Sequence, residues 1–438
     1  MNDRPSEWDK YLLGTVFFVS LLIGGGTASG LYTDTLIEVA AIVSAAAVFS
    51  QTAGQRIPRP VLWLLVFAVA LTVLQIVPLP AAIFNRLRPE LLLGNPWAGE
   101  SRFRFVSVGV GRTVECLLYL LATAAFFLAV LRLRAEQVSA LLPFFFIGVI
   151  CNGLAGAIQY SLSEDVAIKG LLPFTINAGL FANRNHFAAL LFVSIPFVVY
   201  HGLFRGRLLS GSLGLVTLLL LLLAAGSRAG VLIGLAITVL SVIFLSARSR
   251  ASGFSVLLIF VGLSIYTMGA WTKIDVEAID PAFGRGEFAR TTIEGIKDNW
   301  VAGVGFGNFQ NAYQIYEREG MIFRQYVNHA HNEYLEIAFE GGVPAILLMA
   351  VYFVLLFAAL VRVRRDPLQK AAFLSVSFLL IHSLVDYPLR TGALAMTFAY
   401  MNAIIFHKGF AERSKRKSEM MEIDHNGDKL LVPIGTSS

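Results

Sequence analysis

Charge is what this sequence has least of. Asp, Glu, Lys and Arg make up only 15% of its 438 residues, while 56% are hydrophobic. A soluble chain carries about 25% charged residues. With a mean hydropathy of +0.68, that deficit excludes a soluble globular protein. Cysteine is scarcer still, with Cys116 and Cys151 far apart inside apolar runs. This excludes a disulfide framework or a CxxC motif, and both thiols read as small core residues. Carboxylates are missing from the middle of the apolar runs. Glu38 and Glu115 come nearest, both towards run ends, which argues against the intramembrane relay of a transporter. Also missing is the Gly-Lys-Ser/Thr ending that would make GVGFGNF (303–309) a nucleotide loop. That stretch reads instead as a tight turn between two short surface helices.

What is present is a series of apolar runs of about 18 to 22 residues, the length of a bilayer-spanning helix and not of an outer-membrane strand. They fall near 11–30, 35–52, 61–79, 113–131, 140–160, 183–202, 208–225, 228–246, 253–271, 343–361, 371–385 and 391–407. No cleavable signal is evident at the first of them. Every second connection carries basic residues, such as Arg56 and Arg59, Arg132 and Arg134, Arg205 and Arg207, Arg248 and Arg250, and Arg362 to Lys370. Short connections rich in Lys and Arg face the cytoplasm. The expectation is an all-α polytopic membrane protein with about twelve transmembrane helices and both termini cytoplasmic. The formal charge of +6 does not point to nucleic acid, because the position of basic residues matters more here than their sum.

The division expected is a transmembrane bundle over 1–271, an extracytoplasmic loop with short helices over 272–342, transmembrane spans over 343–407, and a basic cytoplasmic tail over 408–438. The loop is polar, glycine-rich and densely functionalised. Within it, Arg285 and Arg290 begin a stretch able to form an amphipathic helix after Gly286, with Phe288, Ile293, Ile296 and Trp300 broadly on one side. Arg285, flanked by glycines at a helix start, suits an anion. Arg290 reads either as part of a solvated face with Glu294, Lys297 and Asp298 or as support for the site.

Further along, NHAHNEYLEIAFEGG (328–342) is the densest cluster. A helix from about His331 would put His331, Tyr334, Leu335 and Ala338 on one face. The histidine then reads as a general base or as a structural cap. His329 and His331 lack a third ligand at metal-site spacing, so no metal and no cofactor is expected. Glu340, before two glycines and Pro344, marks a helix end and orients a neighbour or bonds loop backbone. Arg228 opens the span at 228–246, as an interfacial anchor or as a binder of an anionic headgroup, for which a guanidinium fork is well shaped. Asn183 and His186, beside Arg184 and Asn185, sit at the mouth of the span at 183–202, as caps or as sugar contacts. The DYPLR turn (386–390), with Arg390, falls on the same face.

These motifs resemble one family. RAGVL (228–232) is similar to the Arg-x-x-x-Leu motif of bacterial O-antigen ligases. GR…W…GVGFGNF…HAHNEYLEIAFEGGVPA resembles the large loop shared by O-antigen ligases and Wzy-type polysaccharide polymerases, a superfamily that also includes protein O-oligosaccharyltransferases. The resemblance covers about 179 to 390, in order. It implies a bacterial inner-membrane enzyme that transfers or polymerises an undecaprenyl-diphosphate-linked oligosaccharide. The acceptor is a hydroxyl of a glycan or lipid-linked molecule on the periplasmic face, and the mechanism is inverting and metal-independent. By motif, Arg228 and Arg285 would hold the diphosphate and His331 would assist the attacking hydroxyl. Arg290, Glu340, Asn183, His186, Asn332 and Arg390 are supporting candidates. Asn332 stands where ligases more often have serine, which favours a polymerase or exopolysaccharide transferase. The loop would then act as a lid, closing Arg285 and His331 over Arg228. The rival class is a polytopic transporter or flippase, against which stands the lack of any repeat between the two halves.

Overall fold

The computed structural model describes residues 6–28, 30–50, 54–87, 102–161, 177–246, 264, 266–269, 284–317, 327–364 and 366–410. Nearly all of the run expected at 253–271, most of the loop at 161–182 and the tail beyond 410 lie outside these residues. The first half contains α1 (Trp8–Ile23), α2 (Tyr32–Ser50), α3 (Arg59–Ile76), α4 (Ala81–Leu87), α5 (Val110–Arg132), α6 (Ala135–Ser139) and α7 (Leu142–Ser161). Next come α8 (Arg184–Phe204), α9 (Leu208–Ala225) and α10 (Arg228–Ser246). The polar segment supplies α11 (Arg285–Asn299) and α12 (Phe309–Tyr313). The chain closes with α13 (Glu333–Val363), α14 (Pro367–His382) and α15 (Gly392–Phe406). One minimal antiparallel pair, β1 (Leu79–Pro80) with β2 (Phe103–Arg104), ties the connection after α3 to the start of α5.

Among the described residues eight helical stretches are long and apolar enough to cross a membrane: α2, α3, α5, 135–161, α8, α9, α10 and α13. The all-α polytopic architecture stands on these. Of the other four expected spans, α1, α14 and α15 have 16, 16 and 15 helical residues, shorter than these eight, and the run at 253–271 lies almost wholly outside the described residues.

The bundle is organised around α8. Phe187 to Ile195 of this helix are buried on every side, the pattern of a helix enclosed by others. It packs against α9, α10 and α14, and Ser375 of α14 donates to the Val193 carbonyl at 2.7 Å. The N-terminus of α8 therefore has little freedom, which matters because the site begins there.

The polar segment has a small core of its own. Val304, Phe309, Ala312, Tyr313, Val327, Ala330 and Phe339 are buried together, with Phe288, Ile296 and Tyr316 packed against them. On α11 the inward row is Thr291, Thr292, Gly295 and Asn299, because Gly295 lets the Phe339 ring approach closely. Ile293 and Trp300 project from a different row of the helix and are exposed. Gln75 of α3 pins the GVGFGNF turn to the bundle. Its side chain donates to the carbonyls of Ala302 and Glu340 and accepts from the Phe306 amide. Gly303 has φ +71°, and a Cβ there would stand 2.2 Å from the Glu340 carbonyl oxygen. Only glycine fits.

Candidate functional site

The site is built from the turn between α14 and α15, residues 386–390. Asp386 is fully buried. Its Oδ2 accepts from the Asn185 side-chain amide at 2.6 Å and faces an Arg285 guanidinium nitrogen at 3.5 Å. Its Oδ1 accepts from the Tyr387 backbone N–H at 2.9 Å. The same oxygen faces His186 Nε2 at 3.5 Å and His331 Nδ1 at 3.7 Å. One carboxylate thus gathers groups from α8, α11 and the loop before α13. Burial works to raise the Asp386 pKa, yet His186 and His331 outweigh it and hold the carboxyl far below its usual range.

Tyr387 continues the assembly. Its ring packs against three imidazoles, with centroids 4.8 Å from His186, 4.1 Å from His329 and 4.9 Å from His331. On its far side Arg390 lies among three buried carboxylates. It contacts Glu333 at 3.1 Å, Glu340 at 3.0 Å and Glu336 at 3.5 Å. Glu336 also accepts from the Ala330 amide at 2.9 Å and meets His329 Nδ1 at 2.7 Å. Burial presses the His329 pKa down, but the Glu336 carboxylate prevails and the pKa is raised.

His331 does not sit in a helical first turn, as the spacing suggested. α13 begins two residues later, at Glu333, with Asn332 as its N-cap accepting from the amides of Tyr334 and Leu335. Asparagine is among the best N-caps, so the helix starts after it. His331 has φ +50°, a conformation uncommon for a side-chain-bearing residue. That twist turns the imidazole towards Asp386, where it stacks on Phe288 of α11 at 5.7 Å.

The other expected residues divide clearly. Asn183 caps α8 by accepting from the Asn185 amide at 2.8 Å, and His186 lies in the Asp386 cluster. Glu340 accepts from the Phe309 amide at 3.1 Å while pairing with Arg390, so it fastens the GVGFGNF turn to the 386–390 turn. Arg290 is exposed and pairs with Glu287 at 3.5 Å, away from the cluster. Arg228 is exposed at the start of α10 and lies outside the Asp386 contact set. It stands nearby because α10 runs against α8, where a Cβ on Gly230 would be 2.6 Å from the Ala188 side chain.

Glu333 and Glu336 were not singled out in the sequence, Asp386 and Tyr387 entered only as part of the DYPLR turn, and His329 only as a metal ligand set aside. The legible signal was Asp386 itself, an ionisable residue at the end of an apolar run, which at a membrane boundary needs a partner. Chemically, the arrangement offers an imidazole oriented by a carboxylate, beside a half-exposed guanidinium. Among the described residues no trio of His, Cys, Asp or Glu is arranged to hold a metal ion.

Residues 213–350 match the family model described as O-Antigen ligase. The matched segment contains Arg228, Arg285 and His331, and it ends before Asp386. No curated protein matches the chain.

Proposed function

Starting from membership of the O-antigen ligase and polymerase superfamily, carried by residues 213–350, we infer that the protein is an extracytoplasmic glycan transferase. Its donor is an oligosaccharide on a polyprenyl diphosphate such as undecaprenyl diphosphate. Its acceptor is a hydroxyl of a glycan or of a second lipid-linked chain. The observation that carries this reading is the joint placement of His331 and Arg285 on one buried carboxylate, Asp386.

With Nδ1 facing Asp386, the imidazole keeps its proton on that nitrogen and offers the Nε2 lone pair to the acceptor hydroxyl. The hydroxyl gives its proton to Nε2 as its oxygen bonds to the anomeric carbon. The bond from that carbon to the diphosphate oxygen breaks, and the polyprenyl diphosphate departs with the electron pair. A single displacement inverts the anomeric centre. Negative charge grows on the leaving diphosphate, where Arg285 and Arg228 would receive it. Fixed cations in a site partly closed to water stabilise such charge best. Activation by the base contributes about 10²- to 10⁴-fold, so the imidazole and the arginines are both needed.

The test is reconstitution of the purified chain with a polyprenyl-diphosphate-linked oligosaccharide and a soluble acceptor glycan. The expected product is a new glycosidic bond of inverted configuration by NMR, lost in Arg285→Ala. Retained configuration would overturn the single-displacement step. Uptake of the donor without any covalent product would instead favour a flippase.

A further inference from the structure

The candidate site uses one end of α8. The opposite end, 15 residues on at His201, lies about 22 Å away along the helix axis and opens into a cavity of ≈ 560 Å³. Its basic lining is His201, Arg205 and Arg207; its apolar floor is Leu142, Pro143 and Phe146 at the first turn of α7. One carboxylate, Glu136, faces it. The volume suits a polar headgroup and its glycerol.

The surfaces beside the cavity complete the pattern. From its floor, α7 presents Ile147, Ile150, Leu154 and Ile158 outward, each 45% exposed or more. Their spacing of three and four makes one continuous stripe. On α9, which packs beside α7, Leu209, Leu213 and Leu220 are likewise exposed. A cationic cup above two parallel apolar stripes has the shape of a two-chain lipid. A soluble anion would use the cup and leave both stripes without a role. Basic pockets between helices at a membrane face recognise anionic headgroups.

We propose that this cavity, on the membrane face opposite the candidate site, binds an anionic phospholipid. Arg205, Arg207 and His201 take its phosphate, and its acyl chains lie along α7 and α9. The proposal does not depend on the transferase reading, because it concerns other residues and another readout.

The test is thermal unfolding of the purified full chain in mixed micelles titrated with phosphatidylglycerol or phosphatidylcholine. Phosphatidylglycerol should raise Tm and phosphatidylcholine should not. In R205Q/R207Q the half-saturating phosphatidylglycerol should rise about thirtyfold, from about one unit of surface binding energy per arginine. E136K, at an exposed position, should lower it. R56Q, a basic position outside the cavity, should leave it unchanged. If the double variant unfolds without lipid, R207Q and E136K carry the same comparison. Equal stabilisation by phosphatidylcholine, or an unchanged response in the arginine variants, would overturn the proposal. An equal Tm rise from soluble glycerol phosphate would overturn the lipid as occupant.

Discussion

His331 Nδ1 stands 3.7 Å from Oδ1 of Asp386, a fully buried carboxylate in the turn that follows α14. The distance is that of an ion pair, slightly too long for a hydrogen bond, and such contacts tighten when substrate closes the site. Asp386 therefore acts through the imidazole, setting its orientation and tautomer.

Asp386→Asn should leave a folded protein whose transfer rate falls by about 10²-fold or more, because the amide no longer selects the Nδ1–H tautomer. The measurement is kcat and KM on the purified variant. A change confined to KM would mean that Asp386 serves substrate binding through Arg285 instead.

Arg390 predicts a different phenotype. Its guanidinium faces Glu333, Glu336 and Glu340 in the interior, and removing one partner from a buried ionic cluster costs about 3–5 kcal/mol. Arg390→Gln should lower Tm and yield without a specific loss of kcat in the surviving folded fraction. Lysine should not rescue it, since a point charge cannot span the carboxylates as the planar fork does. A stable but inactive Arg390→Gln would place the residue in the chemistry.

Eight of the expected spans and the loop helix at Arg285–Asn299 were legible in the sequence because they depend on local pattern. Scarcity of charge and run length mark the membrane class, and Arg285–Asn299 is amphipathic enough to be read as a helix. The carboxylate hub was not legible. Asp386 meets His186 and Arg285 only after the chain has folded across 200 and 101 residues, and no periodicity encodes that meeting. Nor could spacing place His331, because the Asn332 cap moves the helix start past it. The packed row of α11 was not legible either, because a glycine, Gly295, makes its closest contact.

Two shifts of opposite sign, at His329 and Asp386, contribute to the pH dependence of stability, beside Glu333, whose carboxyl burial pushes up to about 7. His329 has a raised pKa when folded. Its contribution is complete below the unfolded value of about 6.5 and is lost as pH climbs through the raised folded value. Asp386 has a lowered pKa. Its contribution is present above the unfolded value of about 3.9 and is lost on acidification below it. Tm should therefore peak in the mildly acid range and decline on both sides. His329→Gln should flatten the alkaline decline, as thermal unfolding across pH would reveal. An unchanged alkaline slope in that variant would remove His329 from the explanation.

Gly303→Ala should destabilise by more than about 1 kcal/mol, the usual scale for a glycine in a left-handed conformation. Here a Cβ would also collide with the Glu340 carbonyl. Because that carbonyl accepts from Gln75 and from the Gly305 amide, the damage should spread to the docking of the whole turn. Limited proteolysis between α11 and α13 would report it as faster cleavage.

The central claim is that the His331 imidazole is the base for the acceptor hydroxyl. Its most direct measurement is the initial transfer rate of purified His331→Ala beside the unmodified protein, with saturating polyprenyl-diphosphate-linked donor and matched folded fractions. The account predicts a fall of about 10²- to 10⁴-fold with donor binding retained. Transfer at the full rate would contradict it.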